Sequence, residues 1–404
     1  MQHDLIIVGG GLVGLSLALA LRGTPYSIGL IERQSPQLQD ARLFALNHAS
    51  VTFLKTLNVW DSVAQEAAPI HEVHVSRKGH FGSVRLSRND LKLDTLGYLI
   101  PARHIEKALN EVILKLSHCT VYRPATVQTI ARQAENITLH CKAEEGEKVL
   151  RGTCLIGADG SDSVVRGMMH IQTEEKVLQQ IAIVTHIYLS KPHQFVAFER
   201  FTNDGTLALL PMKATKEDEA LARFPVATIL TTSKNEAQQL LDMSEENFRQ
   251  ALQEAFGFRL GKFIHTGMRF TYPLRHLRAE QTNLSNVILL GNAAHTISPV
   301  AAQGFNLALW EVACLAKMLK EHDHHPHDLA TLAPQFNQYI AKHQSTAINF
   351  TARLTDMVHG PLHQWTPSVL SIGMVAFNLL PPLKRRFLKQ MMGISSFLSA
   401  ANHR

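Results

Sequence analysis

The sequence is poor in cysteine, and its cysteines are scattered. Four occur in 404 residues, and none belongs to a C-x-x-C pair. Disulfide frameworks and structural zinc sites both need several cysteines at defined spacings. We therefore exclude both classes and predict a protein of a reducing compartment.

Long apolar runs are also missing. No stretch reaches the roughly 18 consecutive apolar residues that cross a bilayer, although 45% of the residues are hydrophobic. Residues 12–21 look like the apolar part of a signal peptide, but no Lys or Arg precedes them. These absences predict a cytoplasmic protein that is attached, at most, to the surface of a membrane.

Basic runs interleaved with aromatic residues do not occur, and aromatic residues make up only 7% of the chain. The net charge is nevertheless +6, with an isoelectric point near 9.1. A positive charge without such a run argues against a nucleic-acid surface. It leaves acidic cofactors and anionic lipids as the expected partners.

What the sequence does contain is organised around its start. Over residues 5–31 we predict a buried strand, a glycine-rich turn, a helix and a second strand. Gly9, Gly11 and Gly14 lie in the turn and at the helix start, where they fit the pattern G-x-G-x-x-G. The order strand, glycine pattern, helix and strand is much more specific than the glycine pattern alone.

Each residue of this motif has a physical task in dinucleotide binding. Gly9 permits the tight turn, Gly11 lets the backbone approach a pyrophosphate, and Gly14 lets helix and strand pack closely. The helix N-terminus adds unpaired N–H groups. Glu32 follows the second strand, 18 positions after Gly14, where an acid binds ribose hydroxyls. With Arg33 beside it, the stretch predicts dinucleotide binding without deciding which dinucleotide.

Two later stretches also place small residues directly after a predicted strand. One carries Asp159, which fits ligand binding at a strand end and equally a helix-capping turn. The other begins at Gly291, and taken alone it also fits an ordinary strand–loop–helix joint. Three such strand ends form a more specific pattern than any one of them. The candidate binding residues of the two stretches are Asp159, Gly160, Gly291, Asn292, Pro299, Gln303, Gly304 and Asn306.

The segments between these stretches indicate a second sheet. Residues 71–86 alternate polar and apolar side chains as hairpin strands do, and residues 180–232 are rich in strand-like runs. Both interrupt the simple βαβ order, so we predict an inserted antiparallel sheet. Arg42 precedes a predicted helix that ends near residue 57. It fits a pyrophosphate partner and also a solvated arginine at a helix start.

The three stretches resemble the three fingerprints of class A FAD-dependent aromatic monooxygenases. Within that family the chain is most similar to the ubiquinone-biosynthesis hydroxylases, and the similarity covers nearly its whole length. The resemblance implies an α/β fold, with a Rossmann-like FAD-binding domain, an inserted antiparallel substrate sheet and a helical C-terminal tail, as in p-hydroxybenzoate hydroxylase. The implied boundaries are 1–70, 98–175 and 280–330 for the FAD-binding domain, 71–97 and 176–279 for the substrate sheet, and 331–404 for the tail.

The resemblance also implies the reaction. FAD is the cofactor, NADPH or NADH reduces it transiently, and a flavin C4a-hydroperoxide hydroxylates the ring of a polyprenylated phenol of the 2-octaprenyl-6-methoxyphenol type. Carbon 1 of the ring is the implied position. Dioxygen is a co-substrate, and other ubiquinone-biosynthesis proteins are implied partners. The sequence identifies no side-chain general base. His295 stands near the expected flavin, where it either takes part in catalysis or only caps the loop.

The chain departs from the usual pattern of this branch in the third fingerprint. Four positions differ from the branch pattern, Ser298, Ala302, Ala308 and Glu311. Asn292 stands where the wider family usually has Asp, a form that this branch tolerates. The departures at Ser298 and Ala302 motivate an alternative, a non-catalytic flavin-binding accessory subunit of a biosynthetic complex. A hydroxylase for another ring position and a flavin reductase of prenyl groups are further alternatives, although the reductase shares only the first fingerprint.

The C-terminal tail is predicted to be helical, over residues 336–343, 347–357 and 367–379. Residues 383–392 then mix basic with apolar side chains, which fits a helix at a lipid interface and also a helix packed on its own domain. The histidine-rich segment 322–327 lacks a completing Cys or Glu cluster. We interpret it as a polar loop and predict no metal site.

Overall fold

The computed structural model describes residues 1–35, 42–133, 136–202, 205–284, 286–297, 302–321, 329–359 and 367–394. In chain order its strands are β1 (Gln2–Val8), β2 (Ile28–Ile31), β3 (Leu43–Asn47), β4 (Ala68–Ile70), β5 (Glu72–Arg77), β6 (Ser83–Ser87), β7 (Gly97–Pro101), β8 (Cys119–Tyr122), β9 (Ala125–Arg132), β10 (Ile137–Ala143), β11 (Gly146–Gly157), β12 (Thr173–Leu189), β13 (Val196–Phe201), β14 (Thr206–Pro211), β15 (Phe224–Ser233), β16 (Phe263–Thr266), β17 (Phe270–Ala279), β18 (Asn283–Leu284), β19 (Val287–Leu289) and β20 (His295–Thr296). Its helices are α1 (Leu12–Ala20), α2 (His48–Thr56), α3 (Trp60–Ala64), α4 (Ala102–Ile113), α5 (Val164–Met168), α6 (Lys216–Ala220), α7 (Lys234–Asp242), α8 (Glu245–Phe256), α9 (Gln303–Glu321), α10 (Leu329–His359), α11 (Pro367–Asn378) and α12 (Pro381–Met391).

The first sheet has a parallel centre that brings the three predicted binding stretches together. Its strand order is β18-β19-β11-β1-β2-β8. Strand β1 pairs in parallel with β2 and β11, and β11 pairs in parallel with β19. The carboxyl ends of parallel strands lie at one edge of a sheet, where such folds bind ligands. The strands therefore place the loops after Val8, Ile31, Gly157 and Leu289 along one edge.

Both faces of this sheet are buried, which explains the continuous apolar run of β1. Leu5 and Ile7 pack into a core that also contains side chains of α1, α4, α9 and α10. Ile6 and Val8 pack into a second core on the opposite face, with side chains of β9, β10 and β11.

The segment after Arg42 differs from the prediction. Residues 43–47 form β3, a strand that was not predicted, which pairs with β7 in a small antiparallel sheet. The predicted helix follows as α2 from His48. Asn47 stops the strand and caps the helix, since its side chain accepts a hydrogen bond from the N–H of Ser50 at 2.9 Å. This cap fixes the start of the helix that the sequence predicted up to about residue 57.

The predicted insertion supplies most of the second sheet, and β20 joins it from the third binding stretch. Its order is β20-β17-β12-β15-β14-β13-β5-β6, and β16 pairs with β12. Most of these pairs are antiparallel, whereas β13 and β5 pair in parallel. One face packs against α7 and α8 through a core that includes Phe198, Phe248 and Phe256.

The tail is helical, but its division differs from the prediction. Helix α10 is continuous across residues 344–346, where the polar sequence predicted a break. Gln344 is buried and donates a hydrogen bond to Glu311, so this polar stretch is an internal contact. Helix α12 packs back onto the protein: Leu388 is fully buried beside Leu86 and Leu96.

Among the helices that the structure describes, none has the length and apolar character needed to cross a bilayer. In the same residues, no group of three or more His, Cys, Asp and Glu side chains is arranged to hold a metal ion. The histidine-rich segment 322–327 and the candidates Pro299 and Ser298 lie outside the described residues.

Candidate functional site

The turn between β1 and α1 borders a cleft at the carboxyl edge of the first sheet. Gly9 has a φ of +107°, and a Cβ there would lie 2.4 Å from the carbonyl oxygen of Ala158. A Cβ on Gly14 would lie 1.9 Å from the carbonyl oxygen of Gly9, whereas one on Gly11 would meet nothing within 4 Å. Gly9 and Gly14 are thus required by packing, and Gly11 keeps space open in the cleft.

The end of β2 supplies the acid of the first stretch. One oxygen of Glu32 accepts the N–H of Gly10 at 2.7 Å, and the other accepts the N–H of Gln34 at 2.8 Å. Arg123 donates to the carbonyl oxygen of Gly10 at 2.7 Å. The carboxylate and the guanidinium hold the glycine turn between them. Sequence reasoning missed Arg123, because no local pattern links it to a turn 113 residues earlier.

Asp159 lies at the same edge, and its carboxylate is engaged by the helix that follows. It accepts hydrogen bonds from the hydroxyl of Ser163 at 2.6 Å and from the N–H groups of Val164 and Val165 at 2.7 and 3.1 Å. These contacts cap α5. A helix-capping turn was one of the two interpretations of this stretch in the sequence. Asp159 and Gly160 also line the cleft, so the turn can serve both purposes.

We expect Asp159→Ala to reduce the free energy of unfolding by about 1–2 kcal/mol, because the N–H groups of α5 lose their acceptor. Ser163→Ala is the matched control, since Ser163 also caps α5 but does not line the cleft. Urea unfolding measures the stability of both variants, and titration of the apoprotein measures their affinity for FAD. A larger loss of affinity in Asp159→Ala assigns the carboxylate a binding role beyond capping. Equal losses would leave it with capping alone.

The third stretch is held from behind by a buried carboxylate. Glu311, inside α9, accepts the N–H of Gly291 at 3.1 Å, and its other oxygen lies 2.6 Å from Nε2 of His295 and 2.9 Å from Nε2 of Gln344. His295 and Glu311 are only 1% and 0% exposed. His295 therefore fixes the loop from inside, which is the loop-capping alternative, and it does not line either cavity described below.

Asn306 has a similar structural engagement. Its oxygen accepts the N–H of Asn47 at 2.9 Å and the hydroxyl of Ser50 at 2.7 Å, while its nitrogen donates to the carbonyl oxygens of Ala45 and Ala302 at 2.9 and 2.7 Å. The amide thereby joins α9 to β3 and α2. Gln303 and Gly304 occupy the start of the same helix.

The cleft that these elements form has a volume of about 380 Å³. It is lined by backbone and side chains from all three stretches and from β3 and β9. The predicted candidates in its lining are Gly9, Gly11, Glu32, Arg33, Arg42, Asp159, Gly160 and Asn292. The predicted candidates outside its lining are Gly14, Gly291, Gln303, Gly304 and Asn306. Of these, Gly14 and Gly291 act through packing. A Cβ on Gly291, whose φ is +56°, would come within 3.2 Å of Val13 and Ala308.

A second cavity of about 480 Å³ lies between the second sheet and the tail helices. Its lining is mostly apolar and comes from β3, β5, β6, β13, β14, α9, α11 and α12. Gln303 and Asn306 line this cavity. The apolar lining includes Val73, Val75, Leu86, Ala197, Phe201, Leu210, Ile229, Met374, Phe377, Phe387, Leu388 and Met391.

The cleft fits FAD on structural grounds. The open space beside Gly11 would be filled by any Cβ at that position, and α1 begins directly after it with no side-chain cap on its first N–H groups. Glu32 supplies an acceptor for ribose hydroxyls. Arg33 and Arg42 supply positive charge at the cleft, where a pyrophosphate would be neutralised.

The sequence matches one protein family and many curated proteins. Residues 2–325 match the family described as FAD binding domain. A ubiquinone hydroxylase of Rhodospirillum rubrum, UbiL, is 28% identical, over 96% of this chain and 89% of its own length. The 3-demethoxyubiquinol 3-hydroxylase of Escherichia coli is 27% identical, over 97% and 98%.

Solved structures share the fold at lower sequence identity. The p-nitrophenol 4-monooxygenase PnpA of Pseudomonas putida superposes with a TM-score of 0.74 at 17% identity, covering 100% of this chain and 99% of its own. PqsL of Pseudomonas aeruginosa, described as a probable FAD-dependent monooxygenase, also has a TM-score of 0.74 at 17% identity, covering 93% and 100%. These likenesses confirm the predicted architecture of a Rossmann-like domain with an inserted sheet.

Proposed function

Because this chain belongs to the family of proteins with this FAD-binding domain, we propose that it is a monooxygenase of ubiquinone biosynthesis that hydroxylates the ring of a polyprenylated phenol. FAD as the cofactor is confirmed by the family. The observation that supports the proposed substrate and its hydroxylation is the placement of the two cavities. The cleft beside the glycine turn and the apolar second cavity flank the same two segments, β3 and the first turn of α9.

In this proposal the cleft binds FAD and the second cavity binds the substrate. When bound, FAD supplies the redox chemistry, taking electrons from NADPH or NADH and activating dioxygen. The protein's own residues bind and orient. Gly11 and the start of α1 admit the pyrophosphate, Glu32 accepts from the ribose, and the apolar second cavity keeps water from the aromatic substrate. In this assignment Asn306 and Glu311 hold the segments that separate the two ligands.

The second cavity supports a lipophilic aromatic substrate. Its side chains are aliphatic, aromatic and Met residues, which stabilise a ligand in proportion to the apolar area that it buries. Helices α11 and α12 form one wall, so a polyprenyl chain longer than the cavity would leave between them. We propose a phenol of the 2-octaprenyl-6-methoxyphenol type, hydroxylated at carbon 1, following the family resemblance.

Turnover with defined reactants tests this function. The purified holoenzyme is given NADPH or NADH, isotopically labelled dioxygen and 2-farnesylphenol, a short-chain substrate. We expect phenol-dependent oxidation of the reductant and one labelled oxygen in the product, measured by mass spectrometry. Tight FAD binding without either would contradict the proposal and favour the accessory-subunit alternative. Quinone profiling of a deletion strain then identifies the ring position from the intermediate that accumulates.

We also propose that the protein docks reversibly on the inner membrane, where such a substrate resides. The structure changes the surface expected to do so. Most apolar side chains of α12 face inward, and Lys384 pairs with Asp90 at 2.8 Å. The exposed apolar residues lie mainly on α11 and the turn after it. This tail patch consists of Ile372, Val375, Leu379, Leu380 and Leu383, which are 40–74% exposed.

The exposed cations Arg385, Arg386 and Lys389 follow the tail patch in the chain. Each cation near an anionic surface contributes about 1 kcal/mol, so we expect about 3 kcal/mol at low salt, in addition to apolar insertion. The double variant Arg385→Glu/Arg386→Glu should float with anionic liposomes much less than the wild type. Lys142→Glu/Arg151→Glu makes the same charge change at exposed positions of the first sheet and should float normally. Equal flotation of both variants would refute the proposal that this part of the tail binds the membrane.

A further inference from the structure

The apolar second cavity contains an acidic side chain on its sheet face. Glu199 lies within β13, where Val75 of β5 and Ala208 of β14 are its cross-strand neighbours. All three line the cavity, as does Ile229, the neighbour of Ala208 on β15. A carboxylate among such residues is unfavourable unless a partner donates a hydrogen bond to it.

Of the charged side chains on the strands around Glu199, only Arg77 also lines the cavity among the described residues. His74, Arg85 and Arg200 alternate with the cavity-lining positions of β5, β6 and β13, and none of them lines the cavity. Arg77 of β5 does line it and has interactions of its own. Within the described residues, Glu199 has no ion-pair partner. The described positions that α11 and α12 contribute to the lining are apolar.

The environment of Glu199 is suited to proton exchange near neutral pH. Burial raises the pKa of its carboxyl to about 7, and the polar side chain of nearby Thr206 opposes part of that rise. Protein atoms enclose the group, yet it keeps some accessible surface because it faces the cavity. A general base is most effective when its pKa lies near the working pH.

We propose that Glu199 binds the hydroxyl group of the phenolic substrate and accepts its proton as the ring is hydroxylated. This inference rests on the proposed function. The phenol O–H bond breaks, an O–H bond forms on the carboxylate, and the electron pair stays on the phenol oxygen. This step is a proton transfer without oxidation or reduction. The proton returns to solvent after turnover. The ring becomes richer in electrons, which favours attack on an electrophilic oxygen.

The same contact also sets the substrate's orientation. With its hydroxyl on Glu199 of β13, the ring lies against the sheet, and the prenyl chain extends toward the apolar residues of α11 and α12. An aromatic compound that lacks a hydroxyl donor leaves the carboxyl unpartnered and should bind more weakly. Glu199 is thus both a proton acceptor and a determinant of specificity for phenols.

The pH dependence of turnover tests this role. We measure kcat and KM of the holoenzyme for 2-farnesylphenol between about pH 5.5 and 9. In the wild type, kcat/KM should rise as pH increases through about 7, because only the ionised carboxylate accepts a proton. Glu199→Gln should lower kcat/KM by about 10²-fold or more, mostly through kcat, and should abolish that rise. Glu254→Gln, on the exposed face of α8, is the matched control and should behave as the wild type.

A second variant separates proton transfer from a structural role. Thr206→Val removes the contact that lowers the pKa of Glu199, so the rise in kcat/KM should move to higher pH. A rise that stays in place in Thr206→Val, or a Glu199→Gln variant with the wild-type rate and pH profile, would overturn the inference.

Binding measurements test the role of Glu199 even if the enzyme does not turn over 2-farnesylphenol. The wild type should bind 2-farnesylphenol more tightly than its methyl ether, and Glu199→Leu should lose that preference. If the wild type binds the phenol without hydroxylating it, the proposed function is refuted. The preference and its loss in Glu199→Leu would still support Glu199 as the phenol-binding group, and an unchanged preference would refute it.

Discussion

Gly11→Val is expected to yield a folded protein that binds no FAD. Gly11 has an extended backbone with φ −78°, and a Cβ there would meet no protein atom within 4 Å. The side chain therefore projects into the space that the pyrophosphate needs. We expect FAD affinity to fall on the order of a thousandfold, equivalent to about 4 kcal/mol. The stability of the apoprotein should change by less than about 0.5 kcal/mol.

Two measurements check this expectation. The visible flavin absorbance of the purified variant reports bound FAD, and urea unfolding of the apoprotein reports its stability. Gly14→Ala is the informative contrast. Helix propensity alone would favour Ala by about 1 kcal/mol, but its Cβ would lie 1.9 Å from the carbonyl oxygen of Gly9, so the fold itself should be destabilised. A Gly11→Val protein that retains full flavin absorbance would refute the assignment of the cleft.

Glu311→Ala should cause the largest loss of stability among the variants considered. Glu311 is fully buried and accepts from Gly291, His295 and Gln344. Removing it leaves these donors buried without their acceptor, at an expected cost of about 3–5 kcal/mol. FAD affinity should also fall, because Gly291 and Asn292 are no longer held at the edge of the cleft.

The control lies on the same helix. Glu321 ends α9 and pairs with Lys317 at 3.7 Å, with its side chain 59% exposed. Glu321→Ala should therefore cost less than about 1 kcal/mol. Denaturant unfolding of the apoproteins compares the two variants directly. Similar small losses in both would show that the contacts of Glu311 contribute little net stability, and that another feature fixes the loop.

The first binding stretch was predictable because its constraints are local. A β-branched run, glycines at fixed offsets and an acid after the second strand occur within 33 residues. The parallel order of β2, β1, β11 and β19 then brings the later stretches to the same edge. The alternation of residues 71–86 likewise predicted antiparallel strands, since side chains of a half-buried strand alternate between faces.

Other features depend on contacts between residues far apart in the chain. Residues 43–47 were not predicted to form a strand, and pairing with β7 makes them one. The polar residues near Gln344 predicted a break between helices, but a contact with Glu311, 33 positions earlier, makes that stretch part of one helix. The basic and apolar residues of α12 were compatible with a lipid interface or with packing, and only the packing beside Leu86 shows which apolar side chains remain exposed.

The sequence by itself determined the Rossmann-like start and the inserted sheet, because these depend on local periodicity and on glycine at positions without room for a Cβ. FAD as the cofactor followed from the family resemblance. Tertiary structure alone decided that His295 faces inward to Glu311, that the tail closes the second cavity, and that Glu199 faces into it. The physical reason is that burial and electrostatic environment depend on which distant elements pack around a side chain. Glu199 occupies an ordinary strand position in the sequence, and only the surrounding β5, β14, α11 and α12 make its environment apolar.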